Sequence, residues 1–180
     1  NSGRINSNDV VLEIGPGTGN LTEKILKKKP KKLIVVEKDK NLSVILKNKF
    51  DKDIEIINDN ILNYNQDTYH NKKIIIFGNL PYNISTQIIA SLILLKKWPP
   101  WYKMLVFMFQ KEVADRIIAK NNSKNFSRLS VLCNWRLEIK KHFNVSKNCF
   151  LPKPKISSTV LSFRPKKNNK FYLKNPKNLE

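Results

Sequence analysis

Residues 10–26 have the sequence VVLEIGPGTGNLTEKIL, in which a β-branched run leads into a glycine-rich loop and then a helical pattern. A strand, a glycine loop and a helix in this order form the opening unit of a doubly wound nucleotide-binding sheet. Gly15, Gly17 and Gly19 follow a G-x-G-x-G spacing, which differs from the dinucleotide fingerprint, and no Gly-Lys-Ser/Thr closes the loop as in a P-loop. The stretch therefore predicts an α/β sheet with a ligand close to the loop backbone.

Two further predicted strands lead into acidic residues. Glu37 ends the apolar run 32–37, and it lies 22 residues after Gly15. A carboxylate at this position can accept hydrogen bonds from both ribose hydroxyls of an adenosine. Asp59 follows the apolar segment 54–57 and can accept a hydrogen bond from the amino group of a bound adenine. Because ligands of open α/β sheets bind at the carboxyl ends of the strands, these residues predict a nucleoside site.

The tetrapeptide Asn79-Leu80-Pro81-Tyr82 lies between the apolar run 74–78 and another helical pattern. The lone pair of an aromatic exocyclic amine is delocalised into the ring. Two acceptors for its hydrogens, the Asn79 side-chain oxygen and the Leu80 carbonyl, would favour a more tetrahedral and nucleophilic nitrogen. Pro81 fixes one backbone angle, and Tyr82 can hold a base by stacking, worth about 1–3 kcal/mol. The alternative interpretation is a strand-to-helix turn without chemistry.

The order of these strand ends resembles that of methyltransferases that use S-adenosylmethionine, and the tetrapeptide narrows the resemblance to adenine-N6 enzymes. Three more segments are similar to the ribosomal RNA adenine dimethyltransferase family. They are 107–116 (FMFQKEVADR), 127–131 (SRLSV) and 150–158 (FLPKPKISS). The resemblance covers the chain from about Asp9 to Arg164.

The resemblance implies a function and a set of site residues. The bacterial form of the family dimethylates two adjacent adenines in a hairpin near the 3′ end of small-subunit rRNA. The expected cofactor is thus S-adenosylmethionine, and the expected partner is rRNA within the small ribosomal subunit. Residues expected to act in catalysis are Asn79, Leu80, Pro81 and Tyr82. Residues expected to bind the cofactor are Gly15, Gly17, Glu37, Asp59 and Asn79. Tyr82 and Phe150 are expected to stack on the target base, and Lys153 and Lys155 to bind RNA.

Two of these assignments have alternatives, and a further residue has two interpretations. Phe150 could be a core residue below its loop. Asp59 is the acid of the family's third motif. The family commonly has small residues on either side of this acid, whereas this sequence has Asn58 and Asn60, so it departs from the family pattern at this assignment. Glu13 could orient the glycine loop or be a structural carboxylate.

The resemblance also predicts the domain organisation. Residues 1–8 do not match the segment containing Gln-Asn-Phe-Leu with which family members usually begin, and the chain stops at Glu180, before the family's helical C-terminal domain. We therefore expect residues 1–165 to be a methyltransferase catalytic domain whose N-terminal segment is missing. Residues 166–180 are expected to be a basic tail that begins a linker or a truncated helical domain.

Composition points to the class of partner. The 180 residues suffice for about one domain, and 34 basic against 14 acidic residues give a formal net charge of +20. Such a surplus of positive charge favours a polyanion as the binding partner. The alternative is the compositional bias of an AT-rich genome, which would also enrich Lys and Asn.

Cysteine and histidine positions predict neither a metal site nor disulfides. Cys133 and Cys149 lack metal-ligand spacing, and His70 and His142 are isolated in the sequence. The longest apolar run, 88–95, is far shorter than the ~20 residues of a membrane helix. We expect a monomeric cytoplasmic protein, or an organellar one whose transit peptide has been removed.

The alternation of strand and helix predicts the fold class. It is α/β, a doubly wound, mostly parallel seven-stranded sheet of the Rossmann-like methyltransferase type with an antiparallel edge hairpin. The predicted strands are 10–14, 32–37, 53–58, 73–78, 103–109, 136–145 and 159–164. The predicted helices are 20–28, 40–49, 84–96, 111–120 and 127–134.

Two rival functions remain open at the level of sequence. One is a protein of this fold that has lost catalysis and acts in ribosome assembly or transcription. The other is a relative that modifies an adenine of large-subunit rRNA and confers macrolide resistance. Glu37 and the intact tetrapeptide argue against the first rival, and segments 127–131 and 150–158 argue against the second.

Overall fold

A computed structural model describes residues 4–64, 73–150 and 154–167. The strands are β1 (Val10–Ile14), β2 (Lys32–Val36), β3 (Glu55–Ile57), β4 (Ile74–Asn79), β5 (Tyr102–Gln110), β6 (Leu137–Val145) and β7 (Ser158–Pro165). The helices are α1 (Asn20–Leu26), α2 (Lys40–Phe50), α3 (Ser85–Ile93), α4 (Lys111–Ile117) and α5 (Arg128–Arg136).

The seven strands form one sheet in the order β3-β2-β1-β4-β5-β7-β6. The first five strands are paired in parallel, whereas β7 is antiparallel to both β5 and β6. This confirms the predicted fold class, including the antiparallel pairing of the last two strands. The strand order reverses between β1 and β4, and a crevice at such a switch point is where open α/β sheets bind ligands.

Helices cover both faces of the sheet because side chains alternate along each strand. Leu12, Ile14 and Ile76 belong to a buried cluster that also contains residues of α3, α4 and α5. Val11 and Ile75 point the other way, into a cluster with residues of α1 and α2. The nearly continuous apolar runs of β1, β2 and β4 follow from this two-sided burial.

Several elements are shorter than the sequence predicts. The third strand begins late because residues 51–53 form a 3₁₀ turn, entered by Asp51 with a φ of +37°. Helix α3 ends at Ile93, and the Arg136 guanidinium caps carbonyls at and just beyond this end. Arg136 Nη1 donates to the oxygens of Ile93 at 2.7 Å and Leu95 at 2.9 Å, while the guanidinium stacks 4.0 Å from the Trp135 ring centroid.

Within the described ranges, no helix combines the length and the apolar character required to cross a bilayer.

Candidate active site

The switch point brings the glycine loop and the tetrapeptide side by side. Strands β1 and β4 pair in parallel with Ile14 opposite Gly78, so the residues that follow both strands emerge at the same edge. A Cβ built on Gly15 would lie 3.9 Å from Pro81 Cδ. Two motifs more than sixty residues apart in the sequence are therefore in contact distance.

The loop backbone leaves room for a ligand. Gly15 and Gly17 have φ values of +63° and +59°, a region that glycine adopts most readily. A Cβ on Gly17 would meet no atom within 4 Å, so open space lies above this residue. The loop thus presents bare backbone to the crevice.

The Glu37 carboxylate is fixed against that loop. Its Oε2 accepts the Gly17 N–H at 3.2 Å, and its Oε1 accepts the Asp39 N–H at 2.9 Å. The residue is only 7% exposed. Its position beside the loop is the one that the sequence predicts for a carboxylate that binds a ribose.

The end of the third strand is tied to the second by Asn58, whose role the sequence analysis missed. Asn58 Nδ2 donates to the Glu37 carbonyl at 2.8 Å and to Ser43 Oγ at 3.1 Å. The next residue, Asp59, is exposed, and its Oδ1 accepts the Asn60 N–H at 2.6 Å. Asn58 therefore fixes where Asp59 emerges, next to the turn that carries Glu37.

Glu13 lies beneath the glycine loop and is 1% exposed. Its Oε2 accepts the hydroxyl of the fully buried Thr22 at 2.7 Å. Burial, with a smaller contribution from the negative charge of Glu37, raises the pKa of Glu13 from 4.5 to about 7. The carboxyl links β1 to α1 on either side of the loop.

The tetrapeptide lines an open pocket of about 240 Å³ together with Phe150 and Pro154. Leu80 is 1% exposed and anchors the turn in the core, whereas Asn79 and Pro81 are exposed toward the pocket. The volume is smaller than that of sites for drug-sized ligands, which suits a single planar base.

The Tyr82 ring is held by a residue of β7. Its hydroxyl lies 2.9 Å from Oγ of Ser158, which is fully buried at the start of β7. No local pattern indicates this role for Ser158, since the two residues are 76 positions apart and only the pairing of β7 with β5 brings them together.

The remaining predicted residues fall outside this pocket or outside the description. Lys155 is exposed just after Pro154, and Lys153 lies outside the described residues, as does His70.

Cys149 is an exposed free thiol, while burial raises the pKa of the Cys133 thiol to about 12. His142 Nε2 lies 2.8 Å from Ser162 Oγ. In the part of the chain that the structure describes, no three His, Cys, Asp or Glu side chains are grouped as metal ligands would be.

The chain is similar to a known family and to known proteins. The family model described as ribosomal RNA adenine dimethylase matches residues 2–178. A relative from Pelagibacter ubique (strain HTCC1062), called ribosomal RNA small subunit methyltransferase A, is 56% identical over 174 residues, which are 97% of this chain and 66% of the relative. A protein of the same name from Rhizobium etli (strain CIAT 652) is 40% identical, over 88% of this chain and 59% of its own length. The chain thus spans roughly three fifths of the length of these curated relatives.

Solved structures agree with this assignment. A dimethyladenosine transferase from Plasmodium falciparum superposes with a TM-score of 0.79 at 33% identity, covering 92% of this chain and 58% of that one. The 23S rRNA methyltransferase ErmE gives a TM-score of 0.76 at 22% identity, with 94% of this chain and 66% of that one covered, which is evidence for the fold alone. On the strength of the family match and the sequence identities, this chain belongs to the ribosomal RNA adenine dimethylase family.

Proposed function

We propose that the chain transfers methyl groups from S-adenosylmethionine to the N6 amines of two adjacent adenines, in a hairpin near the 3′ end of small-subunit rRNA. The observation that carries the proposal is the pocket in which Asn79, Tyr82 and Phe150 meet beside the glycine loop. The names of the relatives support the choice of small-subunit rRNA. We assign this activity to residues 1–165, acting as a cytoplasmic monomer, with 166–180 leading into a linker or a further domain.

The crevice fits the expected cofactor. Open space above Gly17 would admit a ligand along the loop backbone, and Glu37 presents a fixed carboxylate to a ribose. Asp59, exposed at the next strand end, would accept an adenine amino group. Asn79 would border the methionine end. When bound, the sulfonium cofactor supplies a methyl group that is already activated, so the protein need only align the acceptor.

The chain's own residues would hold and orient the target base. An adenine must leave its stack to enter the pocket, at a cost of a few kcal/mol. Tyr82 and Phe150, which both line the pocket, would offset that cost by stacking. The Asn79 side-chain oxygen and the Leu80 carbonyl would accept the hydrogens of the N6 amine. Orientation of this kind can supply several kcal/mol of the barrier reduction.

Positive charge beside the pocket would hold the RNA backbone. Lys155 is exposed next to Pro154, which lines the pocket. We propose that Lys155, together with Lys153, contacts phosphates of the hairpin. For such contacts, the logarithm of the binding constant falls linearly with the logarithm of the salt concentration.

Labelled methyl transfer tests the proposal. The chain would be incubated with labelled S-adenosylmethionine and, separately, with small ribosomal subunits, large ribosomal subunits and DNA. We expect label only on small-subunit rRNA. Label on the large subunit would instead support the macrolide-resistance type of enzyme, and cofactor binding without transfer to any acceptor would support a non-catalytic role.

The variant Asn79→Ala, with Asn83→Ala as control, tests the assigned chemistry. Asn83 is exposed four residues further on and does not line the pocket. Asn79→Ala should lower turnover far more than cofactor affinity, because its acceptor matters most as the nitrogen becomes tetrahedral. Equal turnover in both variants would remove Asn79 from the chemistry.

A further inference from the structure

A second and larger cavity, of about 540 Å³, lies between α3 and α5. Thr86 and Gln87 of α3 and Arg128 of α5 contribute to its wall, together with Arg116 at the end of α4. We propose that this cavity, called here the flanking pocket, binds a nucleotide of the RNA strand next to the target adenine. The proposal rests on the proposed function and extends it from the target base to its neighbour.

The flanking pocket lies close to the tetrapeptide. Ser85, the first residue of α3, donates its hydroxyl to the Tyr82 carbonyl at 3.2 Å. Because a helix rises about 1.5 Å per residue, Thr86 and Gln87 are within about 3 Å of that start along the helix axis. A strand whose adenine stacks on Tyr82 would therefore pass the mouth of the flanking pocket.

The lining combines an apolar floor with a basic rim, as a nucleotide requires. Ala90, Leu129 and Leu132 are buried apolar residues on which a base could lie. Arg116 and Arg128 are exposed, and neither forms an ion pair with a carboxylate within the described part of the chain. The planar guanidinium group matches phosphate geometry and also stacks on rings.

The acidic neighbour of Arg116 is engaged elsewhere. Asp115 Oδ2 accepts from Lys111 Nζ at 2.5 Å, one helical turn earlier in α4. No acidic side chain is among the described residues that line the flanking pocket. Glu112 lies one helical turn before Arg116, but neither rim arginine is in an ion pair within the described part of the chain, and this positive charge favours a phosphodiester strand over an acid-lined or purely apolar partner.

A buried hydroxyl joins the two helices that carry the rim arginines. Ser130 is fully buried, and its Oγ donates to the Arg116 carbonyl at 2.5 Å and accepts the Ser127 N–H at 3.0 Å. The end of α4 is thereby fastened to the start of α5. Segments 107–116 and 127–131, which the resemblance to the family singled out without giving them a role, meet at this point.

Binding of a single-stranded RNA oligonucleotide that contains the two adenines and their neighbours tests the proposal. The double variant Arg116→Gln with Arg128→Gln is compared with Lys47→Gln with Lys52→Gln, a pair of exposed residues in or just after α2 that removes the same charge. We expect the arginine pair to lower affinity at least tenfold. It should also reduce the salt slope by about 1.4, the value for two phosphates on a single strand. The lysine pair should change affinity less than twofold.

A neutral variant separates volume from charge. Ser91 is half-buried on the cavity wall, and Ser91→Leu would place an apolar side chain in the flanking pocket. We expect it to lower RNA affinity several-fold with an unchanged salt slope. S-adenosylmethionine affinity should stay parental in all three variants.

Equal losses in the arginine and lysine pairs would overturn the proposal, because net charge alone would then explain binding. If the parent methylates rRNA and the arginine pair binds RNA as well as the parent does, only the flanking pocket fails. If the parent binds RNA through these arginines but transfers no methyl group to any acceptor, the proposed activity fails and the flanking pocket remains.

Discussion

Several side chains of the candidate site are held in place by backbone groups from other elements. Glu37 shows this most clearly, because a glycine-loop N–H and the Asp39 N–H each hold one of its carboxylate oxygens. A carboxylate that is already oriented loses little side-chain entropy when it accepts a ribose hydroxyl. Its contribution to binding should therefore approach the full value of a hydrogen bond to a charged group.

Glu37→Ala should weaken S-adenosylmethionine binding by about 1.5–3 kcal/mol, the scale of such a bond. Isothermal titration calorimetry measures this loss within one form of the chain. Glu55→Ala is the matched control, since Glu55 begins the neighbouring strand β3, lies opposite Ile34 rather than at the strand end, and pairs with Lys32. Unchanged affinity in a folded Glu37→Ala protein would exclude Glu37 from the cofactor site.

The hydrogen bond between Tyr82 and Ser158 predicts a specific pattern of coupling. Tyr82→Phe and Ser158→Ala each remove the bond, worth about 1 kcal/mol, so each should lower kcat/KM for rRNA about fivefold. The double variant should lose no more than Tyr82→Phe alone. Tyr82→Ala should lose more, because the stacking surface is also removed.

Steady-state methylation of small subunits by all four variants measures the coupling. Additive losses from Tyr82→Phe and Ser158→Ala would show that Ser158 acts independently of the ring. Parental activity in Tyr82→Ala would show that Tyr82 only closes a turn.

At the scale of elements, two glycines of one loop have different tasks. A Cβ on Gly19 would lie 2.4 Å from the Phe50 ring, because the start of α1 packs on the end of α2. A Cβ on Gly17 would enter open space. Both residues have positive φ, so alanine is strained at either position by about 1 kcal/mol.

Gly17→Ala should therefore impair mainly cofactor binding, whereas Gly19→Ala should impair mainly stability. Gly19→Ala should lower the melting temperature by several degrees, because overpacking adds about 1–3 kcal/mol, and should leave the cofactor affinity of the folded protein near the parental value. Gly17→Ala should lower the melting temperature less and cofactor affinity at least tenfold. Calorimetric melting and cofactor titration of both variants check this. Identical effects would mean that the open space above Gly17 is not the ligand path.

The elements themselves were largely predictable from sequence. Strands β1 and β2 are apolar runs followed directly by Gly15 and Glu37, and β4 is an apolar run that ends in Asn79, so both the strand and the candidate site residue follow from local pattern. Long-range contacts determine the features that the sequence did not predict. The end of α3 is capped by Arg136, which lies more than forty residues away, and the insertion of β7 between β5 and β6 has no local signature.

The same division applies to the candidate site. Glycine spacing and strand-end residues indicated Gly15, Glu37 and Asn79. Asn58 and Ser158 act through hydrogen bonds to distant segments, and neither residue type nor spacing indicates such partners. The side chains that support a site are therefore harder to predict than those that line it.

At the scale of the whole molecule, the buried Glu13 links stability to pH. An acid whose pKa rises on folding is favoured in its neutral form, so the folded chain binds more protons than the unfolded chain between pH 4.5 and 7. Stability should therefore fall as the pH rises across this window. The displacement from 4.5 to about 7 sets an upper bound of about 3 kcal/mol on the effect.

Glu13→Gln removes this titration and retains an oxygen that can accept the Thr22 hydroxyl. Relative to the parent, the variant should gain stability as the pH is raised from 5 to 8. Urea unfolding at several pH values measures the difference, and Glu138→Gln, at an exposed position of β6, is the control. A constant difference between parent and Glu13→Gln across this range would show that Glu13 is ionised in the folded protein.

The position of β7 imposes an order on the making of this protein. A ribosome that has synthesised residues 1–150 has produced six of the seven strands, but β6 still has no neighbour in the sheet and β5 has an unpaired edge. Residues 158–165 must emerge before those edges are joined, and Ser158 reaches Tyr82 in the same event. A nascent chain interrupted before this strand would expose two aggregation-prone edges and leave the Tyr82 ring without its anchor. The pairing of β7 thus completes the sheet and anchors the Tyr82 ring in a single event.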